Sequence, residues 1–98
     1  MMIAVLTLEI RIEGAHSLKD KRQVMRSLKD KLRDNFNVAT AELEQTDLWQ
    51  RGTIGVVSIN SSKDYLRGLM EQVERAANRI ANNAGGEVVD SFVDFMDE

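Results

Sequence analysis

Residues 2–12 alternate in character. Ala4, Leu6, Leu8, Ile10 and Ile12 fall on one side, with Ile3, Val5, Thr7, Glu9 and Arg11 on the other. A period of two with one cleaner apolar face predicts a half-buried strand, and Gly14 ends it. Ser17 then opens a helical pattern with Asp20 three residues on, the spacing of a capping box. Leu18, Val24, Met25, Leu28, Leu32 and Phe36 recur at helical spacing and form one apolar stripe. Residues 37–45 alternate again, with Ala39, Ala41 and Leu43 on one side and Val38, Thr40, Glu42 and Glu44 on the other. Residues 46–52 read as a hairpin connection. Thr53–Asn60 is β-branched and almost free of charge, which predicts a central strand.

Asn60, Ser61 and Ser62 cap a second helix, with Asp64 in its first turn at the box position after Ser61 and Glu71 and Arg75 paired at i,i+4. Its core face is Tyr65, Leu66, Leu69, Met70, Val73, Ala76, Ala77, Ile80 and Ala84, and Gly85-Gly86 supplies the left-handed stop. Residues 87–96 form the last strand. The order strand-helix-strand-strand-helix-strand predicts one α+β domain over residues 1–98 of the ferredoxin-like, split βαβ (βαββαβ) plan. Its expected form is a four-stranded antiparallel sheet with two helices on one face, because each crossover is right-handed. The other face is then open to water or a partner. Glu9, Glu42 and Glu44 are placed on it, so it is expected to lean acidic, with Val5, Thr7 and Val38 as a partly apolar patch.

Bulk composition adds exclusions. The chain has no cysteine, which removes disulfides, thiol catalysis and cysteine-metal sites and fits a cytoplasmic location. The opening run is interrupted by Glu9, Arg11 and Glu13 and does not read as a secretory leader. No stretch approaches the roughly 18 consecutive apolar residues of a membrane span. With 43% hydrophobic and 30% charged residues, disorder is not expected.

Charge changes the picture more. The net charge of −3 argues mildly against a general nucleic-acid binder, but it is unevenly spread. Residues 16–36 hold seven basic side chains against three acids, a local +4 that leaves −7 on the remainder. On a helix, Lys19, Arg22, Arg26, Lys29 and Arg33 form one stripe, spaced 3, 4, 3, 4. Like charges four residues apart cost about 0.2–0.5 kcal/mol each. Cations in the first turn are disfavoured by a further 0.3–1 kcal/mol or about that. One reading is an anion-binding surface in which Ser17, the free amides of the helix start and the basic stripe hold phosphates. The other is a solvated flank whose long side chains cover apolar surface, with Asp30 and Asp34 alongside.

Asp47-Leu48-Trp49-Gln50-Arg51 carries the only tryptophan. Trp49 either docks or stacks on a partner or packs over the sheet edge, with Asp47 and Arg51 closing the hairpin; the packed arrangement is the expectation. His16, the only histidine, reads as a loop residue, since it lacks the companions of a metal site or an oriented base. Lys21 falls on the apolar face of the first helix and is expected to snorkel past the helix end. No phosphate-cradling glycine loop, nucleophile elbow or Glu-x-x-His pair occurs. No catalytic residue, cofactor or metal is therefore expected.

Several stretches together resemble a known family. They are His16-Ser17-Leu18-Lys19-Asp20-Lys21-Arg22, Ser27-Leu28-Lys29-Asp30, Phe36-Asn37-Val38 followed by Ala41-Glu42, Asp47-Leu48-Trp49-Gln50-Arg51 and Gly55-Val56. They are similar to the YlxP-like bacterial family of unknown function. The resemblance spans nearly the whole chain, specific over residues 16–59 and weaker in the second helix and last strand. It implies a ferredoxin-like fold and an association with translation and ribosome-maturation genes, some members being labelled probable ribosome-binding factors. No catalytic residue is established for that family, and none is carried over. Two functional expectations follow. One is a non-enzymatic accessory factor on a ribosomal subunit or other structured RNA, docking through the basic helix. The alternative is a protein-interaction or homodimerisation module with no nucleic acid; neither involves a membrane.

Overall fold

The computed structural model describes residues 1–44 and 48–97, the side chain of Glu44 excepted. Its elements run β1 (Met2–Arg11), α1 (Leu18–Asn35), β2 (Ala39–Glu44), β3 (Arg51–Asn60), α2 (Lys63–Ala84) and β4 (Glu87–Asp97). The sheet order is β2-β3-β1-β4, and every neighbouring pair is antiparallel. Both helices lie on one face, α1 over β2 and β3 and α2 over β1 and β4. This is the ferredoxin-like plan.

The alternation of β1 explains why that face is covered. Ala4, Leu6, Leu8 and Ile10 are fully shielded, and they pair across the sheet with Ser58, Val56, Ile54 and Gly52 of β3. Onto this surface α1 lowers Val24, Met25, Leu28 and Leu32, and α2 lowers Leu66, Met70, Val73 and Ala77. Each of these large side chains withdraws about 1.5–3 kcal/mol of apolar surface from water. Ala76, Ala77 and Ala81 leave α2 little bulk on its buried face, so its axis can ride close to the sheet. Gly85 ends α2 at φ 92°, and the Gly86 N–H donates to Ala81 O at 2.7 Å, the bond that closes a left-handed helix stop.

Four expectations need correction. The cap of α2 is Ser62, one residue later than the box placed on Ser61: its Oγ accepts from the Tyr65 N–H at 3.1 Å, while Asn60 Oδ1 accepts from the Ser62 N–H. The ion pair of α2 joins Arg67 to Asp64 at 3.1 Å, and none joins Glu71 to Arg75 among the described residues. Lys21 does not snorkel out. It is 3% exposed, with its stem lying against Gly52. The bare backbone of that glycine leaves room for Lys21 and Met25 where the first turns of α1 meet β3.

The fourth correction concerns the open face. Ala39 and Ala41 stand opposite Val57 and Gly55, and Leu43 covers Gly55, so these residues of β2 face outward. Val38 instead packs against the core, Thr40 donates to Lys29 O at 3.3 Å, and Glu42 stands opposite the buried Ile54. The edge position of β2 permits this, because a carboxylate on the covered side can still reach water around the sheet margin. A register shift between Glu42 and Glu44 inserts Leu43 as an extra, outward residue. Of the three glutamates expected on the open face, Glu9 lies there, accepting a 2.9 Å hydrogen bond from Thr53 Oγ1, and the register places Glu44 opposite that same Thr53; Glu42 is turned to the covered side. The face is therefore apolar over much of its area, with Val57, Ile59, Phe92 and Met96 exposed on it.

Candidate nucleic-acid interface

The core side of α1 fixes where its charges stand. With Lys21, Val24, Met25, Leu28 and Leu32 buried, helical geometry turns Lys19, Arg22, Arg26, Lys29 and Arg33 onto the flank nearest β2. Lys19, Arg22, Arg26 and Arg33 are exposed and Lys29 is half-buried. The acids Asp20, Asp30 and Asp34 lie further round the helix. Arg33 is paired with Asp30 at 3.0 Å, an exposed contact of small energetic weight. No ion pair reaches Lys19, Arg22, Arg26 or Lys29 among the described residues.

The start of α1 is built as a cap. Ser17 Oγ accepts from the Asp20 N–H at 3.1 Å, and Asp20 Oδ2 accepts from the His16 N–H at 2.9 Å. The reciprocal bond of the box thus reaches one residue before Ser17. The Asp20 carboxylate already stands at the helix start, where its charge disfavours a second anion. Ser17 and the helix start are therefore set apart from the stripe, and the anion-facing surface narrows to the flank. His16 is an exposed loop residue.

Trp49 corrects the packing expectation: it is 49% exposed, beside the equally open Leu48. Its loop is nevertheless anchored. The Ile12 N–H donates to Gln50 O at 2.9 Å, and Gln50 Nε2 donates to Glu13 O at 3.1 Å. Arg51 begins β3 and is exposed; it stands opposite Arg11 of β1. Asp47, the other expected hairpin residue, lies outside the described residues. Three residues beyond Trp49, Gly52 seats Lys21 and Met25 of α1. The cationic first half of α1 and the Trp49 loop consequently share one end of the molecule, on the β2 side. Sequence spacing alone identified each group; only the β3–α1 contact brings them together.

Other charges are accounted for locally. Arg11 donates to Glu87 Oε2 at 2.8 Å. That hydrogen bond, then the charges of Glu87 and Glu13, raise the Arg11 pKa further above its ordinary value. Lys63 and Arg67 sit over the ring of Phe95, with the charged groups 5.1 and 5.8 Å from its centroid. No cluster of three or more histidine, aspartate or glutamate side chains fit to hold a metal ion occurs among the described residues. No helix among them is long and apolar enough to cross a membrane.

The sheet order and helix placement define a small ferredoxin-like domain with one basic flank and one uncovered sheet face. Within that class, residues 3–92 match the family DUF503, described as "Protein of unknown function", and the chain belongs to it. It is similar to the "Uncharacterized protein YlxP" of Bacillus subtilis strain 168, at 36% identity over 62 residues, covering 63% of this chain and 67% of that one. Among solved structures it is similar to a dimeric ferredoxin-like protein of unknown function from Thermobifida fusca YX. There the TM-score is 0.55 at 17% identity, covering 100% of this chain and 92% of the other. It is also similar to a C-terminal segment of the alpha subunit of aIF2 from Pyrococcus abyssi, with a TM-score of 0.52 at 13% identity. The whole chain aligns there but spans only about half of that segment, 51%. Identities this low establish a shared fold and nothing further.

Proposed function

We propose that the protein is a non-enzymatic accessory factor that docks on structured RNA, such as a ribosomal subunit, through the β2-side flank of α1. One observation carries this reading. Lys19, Arg22 and Arg26 are exposed on a single stripe without ion-pair partners among the described residues, at the same end of the molecule as the exposed Trp49 and Arg51. Stability alone does not favour that arrangement, since Arg22 and Arg26 repel at i,i+4 and Lys19 and Arg22 oppose the helix dipole. Phosphates spaced along an RNA strand would relieve both costs, and an exposed indole at the same end of the molecule offers a stacking platform for an unpaired base. A cytoplasmic setting accords with the cysteine-free composition.

The test is co-sedimentation with purified bacterial ribosomal subunits across a salt series, beside an Arg22→Glu, Arg26→Glu, Lys29→Glu variant with a native circular dichroism spectrum. Binding that falls with salt and is absent in the variant supports α1 docking. Absence of binding at low salt would overturn it and leave α1 a solvated flank.

A further inference from the structure

The uncovered sheet face is the largest surface that the RNA reading leaves without a role. Cross-strand registers order it into rows. Ile59, Ile3 and Met96 form the outermost row, Val57, Val5 and Asp94 the next, and Gly55, Thr7 and Phe92 the third. Apart from Asp94 on the edge strand, charge begins beyond these rows, at Glu9 and Asp90, followed by Arg51, Arg11 and Glu87. The apolar half is well exposed, with Ile59 at 54%, Phe92 at 50% and Met96 at 45% of their full accessibility. With Val57, Ile3 and Val5 this exposes on the order of 400–500 Å² of contiguous apolar surface, the size of the largest patch on a typical monomer, which is often functional.

We propose that a second copy of this chain covers this face, sheet against sheet, about a two-fold axis through the apolar rows. Shape is the first argument. The face is a pleated surface with an open, shallow concavity over Ile3, Ala39, Val57 and Ile59, and the side chains of a second pleated sheet packed about 10 Å away can interdigitate with such a surface. Area is the second. Four strands at about 4.8 Å spacing and the roughly six residues of β1 that the three apolar rows span give a projected footprint on the order of 400 Å². Side-chain relief raises the accessible area to roughly 500–600 Å² per partner, at the low end for specific interfaces, so a dimer with an affinity in the micromolar range or weaker is expected. Charge is the third. A two-fold brings one patch onto itself, so it tolerates no like charge at its centre, and the three apolar rows contain a single charge, Asp94, on the edge strand β4. Glu9 and Asp90 are left at the rim, where water solvates them. Acids beside the patch also disfavour an anionic lipid surface as its occupant. The helices lie on the far side of the sheet, so this pairing leaves α1 free and stands or falls apart from the RNA reading.

Sedimentation equilibrium from about 1 μM to about 1 mM tests it. The wild type is expected as a dimer, and Ile59→Lys and Met96→Lys are expected to weaken self-association roughly 30-fold or more while keeping the native circular dichroism spectrum. Tyr65→Lys, at a position that helical spacing predicts for the core face but that is 54% exposed on α2, should leave the dimer unaltered. Met96 lies on an edge strand, so its variant keeps the test sound should Ile59→Lys fail to fold. A wild type monomeric across the whole series overturns the proposal, as does a dimer that folded Ile59→Lys and Met96→Lys both leave intact.

Discussion

Gly52→Ala is the substitution for which the packing of α1 makes the sharpest demand. A Cβ at residue 52 would stand 2.9 Å from Met25 Sδ, nearer still to the Met25 terminal methyl, and 3.4 Å from Lys21 Cε. Favourable carbon contacts lie at about 3.5–4.0 Å, so the first of these is a real overlap. Replacing glycine by alanine in a strand would otherwise gain roughly 0.5–1 kcal/mol. Met25 is 1% exposed and cannot swing into solvent, so relief needs a poorer rotamer or a retreat of the first turns of α1. Overpacking of this kind costs about 1–3 kcal/mol, and the flexible methionine places it toward the lower end. The net effect is a loss of about 1 kcal/mol, a fall in Tm of roughly 4–8 °C for a domain of this size. A double-mutant cycle isolates the cause. Met25→Ala alone costs about 2–5 kcal/mol, but in that background Gly52→Ala should be neutral or stabilising, a coupling on the order of 1 kcal/mol or more. Urea unfolding of the four proteins measures it. Strict additivity would refute the reasoning.

Other positions give narrower tests. Gly85→Ala should cost about 1 kcal/mol in urea unfolding, because φ is 92° while nothing crowds a Cβ there, and Gly85→Asn should cost less. Ser17→Ala should lose roughly 1 kcal/mol through the cap bond to the Asp20 N–H. A larger loss would mean that the hydroxyl does more than cap. Trp49→Ala should leave stability within about 0.5 kcal/mol, as an exposed side chain requires. Under the RNA reading it should weaken binding to a single-stranded loop by about 1–3 kcal/mol without altering the salt dependence; equal loss on a plain duplex would contradict stacking.

Much of the fold was legible because its signals are strong and redundant. The alternation from Ala4 to Ile10 and the stripe from Val24 to Leu32 each repeat one period several times, and the buried set follows them. Facing in β2 was not legible. Its apolar side, Ala39, Ala41 and Leu43, turns outward while Val38, Thr40 and Glu42 face the helices, because at a sheet edge Thr40 finds a partner in Lys29 O and Glu42 can reach water. The acidic lean of the open face holds through Glu9, Glu87, Asp90 and Asp94, whereas Glu42 falls on the covered side. Lys21 misled for a different reason: residue type suggested a solvent-seeking head, whereas burial depends on the space above Gly52, a partner 31 positions away in the chain. The basic stripe was fully readable from helical spacing. The exposure of Trp49 and its nearness to that stripe depend on a tertiary contact that no local pattern encodes.

The central claim is that α1 meets phosphates through individual side chains, and the salt dependence of binding to a defined structured RNA measures this directly. If Lys19, Arg22, Arg26 and Lys29 each neutralise one phosphate, the plot of log K against log salt should have a slope of roughly −3 to −4. Each of Arg22→Ala and Arg26→Ala should then reduce that slope by about one while weakening binding evenly across RNA sequences. Lys31→Ala, on the far flank of α1, should leave it unchanged. A slope that Arg22→Ala and Arg26→Ala do not move, or binding that ignores salt, would contradict the account.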